Sequence, residues 1–303
     1  MVAAVSAPAN ADAPTLRADL ATLVKARLNT FVLITAFFGF FVAVRSAGGW
    51  EGRHWLLLVH TLVGTAAAAF GASVFNQLME IREDARMGRT SDRPLPARRV
   101  LPLPAFLLGV GLAAFGLIHL AAMVDKVAAL LAAITIATYV FLYTPLKRRS
   151  AANTLVGAIP GALPPLIGWV AGGGAWQDPR GWYLFALLFL WQLPHFVSIN
   201  WLCREQYEEA GFVMWSDGDV SGKRSARLAA GFSVGLAALG AAAPLAGFTG
   251  WIFGAGAGVA GLGLAAMAMR FAASGERPAF RRFFLMTLLY LPVVLTALAV
   301  DWK

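Results

Sequence analysis

Cysteine is nearly absent from this sequence. The one thiol, Cys203, has no partner for an intrachain disulfide, and it reads as a small apolar residue at a helix end. Charge is scarce as well: Asp, Glu, Lys and Arg make 14% of 303 residues. A water-soluble domain carries about a quarter, so a soluble globular protein is excluded. Acids are the rarer sign, 16 against 25 bases. There is no G-x-x-x-x-G-K-[ST] phosphate loop, no G-x-G-x-x-G after a strand, no H-E-x-x-H and no C-x-x-C-H haem attachment. No Ser-centred nucleophile elbow is expected either. The sequence offers no nucleotide-driven machinery.

What the sequence has is apolar length. Residues of hydrophobic type make 59% of the chain. The runs read as nine spans, roughly 28–45, 56–79, 103–124, 127–145, 153–173, 182–203, 228–246, 250–270 and 282–300, each near the ~20 residues a helix needs to cross a bilayer. The predicted fold class is all-α, a polytopic membrane protein. Residues 1–22 are expected to be a disordered cytoplasmic tail, Ala- and Pro-rich at its start, without the layout of a cleavable signal. Residues 23–303 form one transmembrane domain. The net charge of +9 is distributed by side: with nine spans, 20 of the 25 Lys and Arg fall on the side of the N-terminus. The other side has Arg45, Arg53, Lys126, Arg180 and Lys303. This is the positive-inside bias, which puts the N-terminus in the cytoplasm and explains the charge without nucleic acid.

The stretch from Asn76 to Pro96, NQLMEIREDARMGRTSDRPLP, closes the second span. Residues four apart on a helix stay on one face. Asn76, Glu80 and Asp84 therefore make an oxygen-rich stripe about 12 Å long. Mg²⁺ wants oxygen ligands and takes one or two carboxylates plus substrate phosphates. Arg82, Arg86, Arg89 and Arg93 follow at once and can clamp phosphate oxygens. Pro94 and Pro96 end the helix and hold Arg89 and Arg93 near the acids. Acids, metal and arginines together describe a diphosphate site at a membrane surface.

Elsewhere the readings stay double. Lys25 and Arg27, at the mouth of span 1, are interfacial anchors or contacts to an anionic substrate. His60 and His119 lie in spans 2 and 3, as bonded interior groups or as functional ionisable residues. Span 4 ends YTPLKRRSAANT, Tyr143–Thr154, where Lys147 and Arg148 are topology signals or anion contacts. Span 5 (LVGAIPGALPPLIGW) is interrupted by Pro160, Pro164 and Pro165, and broken backbone at membrane depth lines a cavity or is buried in protein. Span 6 ends WQLPHFVSINWLCREQYEEAG, Trp191–Gly211. Its His195 is a metal or haem ligand, a general base, or a satisfied core group. After it, Arg204, Glu205, Tyr207 and Glu209 precede the bases Lys223, Arg224 and Arg227, an echo of span 2 four spans earlier. Spans 1–4 and 5–8 are thus expected to be a pseudo-repeat with span 9 added.

Those three stretches, after spans 2, 4 and 6, resemble the signatures of the protohaem IX farnesyltransferase (haem O synthase) family, within the UbiA superfamily of intramembrane prenyltransferases. The resemblance runs from about Leu23 to the end of span 9. It implies a bundle of about nine helices around a central cavity. It also implies transfer of farnesyl from farnesyl diphosphate to the 2-vinyl group of haem b, with water added, giving the side chain of haem O. Mg²⁺ would bridge the diphosphate, and haem b would be a substrate rather than a cofactor. A haem A synthase would receive the product, and the setting would be a bacterial inner membrane. By the same resemblance Asn76, Glu80 and Asp84 match the first metal motif, and Arg89, Arg93, Lys147 and Arg148 its basic surroundings. His195 matches the P-H-F histidine, and Arg204, Glu205 and Tyr207 the second polar motif. Gln206 departs from that motif, and Glu205, Glu208 or Glu209 is expected to supply the acid. Two other readings remain open: a UbiA-type enzyme prenylating an aromatic quinone precursor, and a transporter with a midplane site.

Overall fold

The computed structural model describes residues 14–303. Among these, nine helices are long and apolar enough to cross a membrane. They are α2 (Ala26–Ser46), α3 (Gly52–Met79), α5 (Pro102–Met123), the run Lys126–Leu146, α8 (Asn153–Ala171), α9 (Pro179–Leu202), α11 (Lys223–Ala242), α12 (Trp251–Ser274) and α13 (Arg277–Asp301). The run Lys126–Leu146 comprises α6 (Lys126–Ala137), a π-helical turn (Thr138–Tyr143) and α7 (Thr144–Leu146). Three short helices lie at one end: α1 (Leu16–Leu23), α4 (Ile81–Asp84) and α10 (Arg204–Ala210). The chain is an integral membrane protein, all-α among the described residues apart from an isolated bridge between Thr249 and Trp302.

Two expectations are corrected here. The predicted disordered tail is a helix over Leu16–Leu23; residues 1–13 lie outside the described residues. Thr15 caps that helix, Asp19 takes three hydrogen bonds from the Arg99 guanidinium at 2.9–3.1 Å, and Leu23 packs with Val74, Leu95 and Ala105. An ion pair and a buried leucine outweigh the Ala-rich composition. Span 5 is also not broken. Its three prolines lie within one continuous helix, α8, which is buried along nearly its whole length.

The irregular turn sits in span 4 instead. Pro145 has no N–H for the carbonyl four residues back. The chain widens into the π turn just before it, and the Thr144 hydroxyl donates to the Tyr139 carbonyl at 2.8 Å. Such turns occur often at functional sites, and this one stacks Tyr139 on Tyr143 beside the polar end of the bundle.

α8 is the centre of the packing, against α2, α6 and α9. Its contact with α2 is made backbone to backbone. A Cβ at Gly168 would run into the Ala36 carbonyl oxygen, and one at Gly39 into that of Pro165. At the opposite end, α13 is tied down by its C-terminus: Trp302 donates to Ser46 at 2.8 Å, and Asp301 accepts from the Phe253 amide at 2.8 Å.

Candidate active site

α3 stops at Met79, and Glu80 leaves helical geometry (φ −108°, ψ 14°) before α4 begins. The spacing by four survives this break. The Glu80 amide bonds the Asn76 carbonyl at 3.1 Å, and the Asp84 amide bonds the Glu80 carbonyl at 2.8 Å. The predicted stripe is therefore one surface built over two helices. The loop after α4 folds back onto it: Thr90 donates to the Asp84 carbonyl at 2.8 Å, and Arg93 to the Asp84 carboxylate at 2.6 Å.

The three residues of the stripe have different surroundings. Asn76 is fully buried, and its amide donates to Thr144 at 2.9 Å. Its carbonyl oxygen accepts from the Lys25 ammonium, so the oxygen expected to ligate metal is engaged by a cation. Lys25 reaches it from a left-handed turn (φ 50°) between α1 and α2, and also donates to Tyr139 at 3.1 Å. Glu80 pairs with Lys147 at 2.7 Å, both side chains almost buried. Asp84 binds Arg93 through one oxygen, while its other oxygen, Oδ1, is buried and has no partner among the described residues.

Burial and charge oppose each other here. Burial works against the Glu80 carboxylate, yet Lys147, Lys25 and Arg93 together outweigh it and hold Glu80 below the usual carboxylate range. At Lys147 burial is likewise overcome, by Glu80 with Tyr143 and Tyr139, and the ammonium is held well above its ordinary value. At Asp84 burial prevails over Arg93 and pushes the carboxyl up. Burial brings Lys25 down to about 7, with Glu80 pulling the other way.

These side chains line a cavity of about 290 Å³ that runs from the loop end into the bundle. Lys25, Glu80, Asp84, Arg89, Arg93, Lys147 and Tyr207 form its polar end; His195, Phe196 and Ile199 lie on α9 further in. His195 is seven residues before the end of α9, about 10 Å below the polar end. Four cations face two carboxylates, which leaves the polar end basic. The unpartnered Asp84 Oδ1, with Glu80 beside it, fits a divalent cation held by two carboxylates and completed by substrate phosphates. Among the described residues no group of three or more His, Cys, Asp or Glu side chains could form a metal cage.

Several predicted residues lie elsewhere. Glu205 and Glu209 are exposed, and Glu205 pairs with Arg204 at 2.9 Å and Arg277 at 3.8 Å. The reason is helical phase. Tyr207 faces the cavity, and residues two before and two after it turn about 200° away. The echo of span 2 is present in another register. Cys203 breaks α9 from α10 at φ −110°, ψ 15°, nearly the angles of Glu80. Counting four on from each break sets Tyr207 against Asp84, so Tyr207 and not a glutamate comes to the cavity, with Arg89 stacked 4.7 Å over its ring. Arg204 lies over Trp201, Arg148 pairs with Glu83 at 2.9 Å, and Lys223 lines a separate hollow with Arg224 and Arg227. Arg27 and Arg86 are exposed and line no part of the cavity. His60 and His119 bond each other at 3.1 Å, away from it. A G-x-S-x-G run does occur at Gly231–Gly235, but inside α11, where Ser233 is buried and bonds the Ala229 carbonyl at 2.7 Å.

Missed from sequence were Tyr139, Thr154, Asn200, Phe212 and Met214. Tyr139 is carried to Lys25 by the π turn, and Pro145 after an aromatic pair was its only signal. Phe212 and Met214 reach the cavity by a loop return after Gly211, whose left-handed φ of 80° ends α10.

The sequence profile of the UbiA prenyltransferase family matches residues 32–289. The chain belongs to that family. As a UbiA prenyltransferase it resembles a protein from Opitutus terrae named Protoheme IX farnesyltransferase, at 40% identity over 93% of this chain and 94% of that one. The fold matches a digeranylgeranylglyceryl phosphate synthase structure with a TM-score of 0.77, at 15% identity and over 93% and 97% of the two chains. It also matches an Archaeoglobus fulgidus UbiA homologue bound to GPP and Mg²⁺, with a TM-score of 0.61, at 16% identity and over 92% and 99% of the chains.

Proposed function

We propose that this UbiA prenyltransferase converts haem b to haem O. Farnesyl passes from farnesyl diphosphate to the 2-vinyl group, water adds to the neighbouring carbon, and diphosphate leaves. The observation that carries the reading is a single cavity with a basic, carboxylate-bearing end at the membrane surface and an aromatic interior holding one histidine. Relatives named for this reaction, matching along nine-tenths of both chains, support it.

In this reading Lys147, Arg93 and Arg89 bind the diphosphate oxygens, and Lys25 supports them from the turn before α2. Glu80 and Asp84 would hold Mg²⁺, with Asn76 behind them orienting Lys25. When bound, Mg²⁺ would offset the charge that grows on the leaving group. The fixed cations do the same with little reorganisation, since Lys147 and Arg93 are already held by Glu80 and Asp84 at the cavity wall. Phe196, Ile199, Phe212 and Met214 keep bulk water from the farnesyl cation until the vinyl carbon attacks it. Arg224 and Arg227, with Lys223, form a basic hollow on the same end that suits porphyrin propionates. The polar end would face the cytoplasm of a bacterial inner membrane, by the positive-inside bias. The product would pass to a haem A synthase.

The test is turnover. Purified protein in lipid is given haem b, farnesyl diphosphate and Mg²⁺, and the haem is analysed by chromatography and mass. A haem heavier by farnesyl plus water, lost with EDTA and regained with Mg²⁺, is expected. Unchanged haem beside prenylation of an offered aromatic acid would transfer the assignment to a quinone precursor.

A further inference from the structure

His195 is constrained on every side but one. Its ring lies between Trp191 and Phe284, with centroids 5.5 and 4.9 Å away and planes tilted by only 16° and 24°. Its Nδ1 lies 2.9 Å from the hydroxyl of Thr287, on α13. That hydroxyl is also 2.6 Å from the Phe284 carbonyl oxygen. A carbonyl oxygen can only accept, so the one hydroxyl hydrogen goes there. Thr287 then offers only lone pairs to the imidazole, and Nδ1 must carry the ring hydrogen. Thr287 is fully buried, so the arrangement has no solvent competitor. Its backbone carbonyl takes the Trp191 indole N–H at 2.7 Å, which fixes the stacking partner through the same residue.

We infer that Thr287 is a positioning residue that sets His195 as the Nδ1–H tautomer and turns the bare Nε2 lone pair into the cavity, as an axial ligand for the iron of the porphyrin acceptor. The inference rests on the haem reading above. Nε2 makes no hydrogen bond among the described residues, and His195 forms part of the cavity wall. Neutral imidazole with its other nitrogen tied to a hydrogen-bond acceptor is the usual form of a metal-binding histidine. A ring held between two aromatic faces meets the porphyrin at one fixed angle. That would set the 2-vinyl group at a constant distance from the diphosphate end, which is the geometric requirement for reaction.

The experiment adds ferrous haem b to purified protein in lipid and reads resonance Raman and visible spectra. The expected result is an iron–imidazole vibration in the parent protein, absent in His195→Ala and restored there by added imidazole. Thr287→Val keeps the volume but loses the acceptor; it should bind haem b about 10- to 100-fold more weakly and shift the iron–imidazole band. Thr287→Ser should restore both. An iron–imidazole band that persists in His195→Ala, or a Thr287→Val variant that matches the parent in band and affinity, overturns the inference while leaving farnesyl transfer standing. Failure of the parent protein to bind haem b would overturn the haem reading itself.

Discussion

The Glu80–Lys147 pair shows how much this site depends on each partner. Both side chains are nearly out of solvent and 2.7 Å apart. Removing one leaves the other charged, buried and alone, which costs about 3–5 kcal/mol. Lys147→Met should therefore lower the unfolding midpoint sharply, while Lys147→Met with Glu80→Gln should recover most of that loss. Both variants should be inactive. A double variant no more stable than the single one would show that the pair is not coupled. Asp84 gives a different expectation. Asp84→Asn keeps an oxygen for Arg93 but removes the charge beside the unpartnered Oδ1. Turnover should fall by roughly 10²–10³-fold, typical of a lost electrostatic contact in an active site, with thermal stability retained. Near-parent turnover would remove Asp84 from the metal site. The residue scale was also the most legible in sequence, since spacing by four needs only a helix. Its limit was phase: Glu205 and Glu209 are spaced as well as Glu80 and Asp84 are. Which face of α10 turned inward was decided by the break at Cys203, a backbone feature with no residue signature.

At the scale of elements, glycine decides how near two helices come. α2 and α8 touch through Gly39 and Gly168 because neither carries a Cβ. Gly168→Val should cost about 1–3 kcal/mol or more by overpacking, read as a lower unfolding midpoint in detergent. Gly256→Val on α12, where open space surrounds the added carbons, is the control and should be neutral. Equal effects at the two positions would mean that helix propensity, not close approach, is being measured. The matching backbone breaks at Glu80 and Cys203 favour reading spans 1–4 and 5–8 as related halves, with α13 added. Sequence pointed to irregular backbone in the wrong span. Three prolines in α8 suggested a break, yet neighbours on all sides keep that helix whole. The π turn before Pro145 had no comparable signal, because one proline near a helix end usually only ends the helix.

For the whole molecule, nine spans and their order could be read from hydropathy alone, and each observed helix lies within several residues of its expected run. The enclosed shape could not. It depends on α8 crossing α2, on α1 folding back through Asp19 and Arg99, and on Phe212 returning to the cavity from another loop. These are contacts between residues far apart in the chain, with no local pattern. In the proposed function one cavity would hold both substrates in fixed order, diphosphate at the membrane surface and porphyrin at His195. The measurement that tests it most directly is a cryo-EM map of the protein in lipid with haem b, Mg²⁺ and farnesyl thiodiphosphate, a donor that reacts slowly. Diphosphate density is expected against Lys147 and Arg93, a cation at Glu80 and Asp84, and the porphyrin iron next to His195. Diphosphate bound away from Glu80 and Asp84, or a porphyrin outside the cavity, would contradict it.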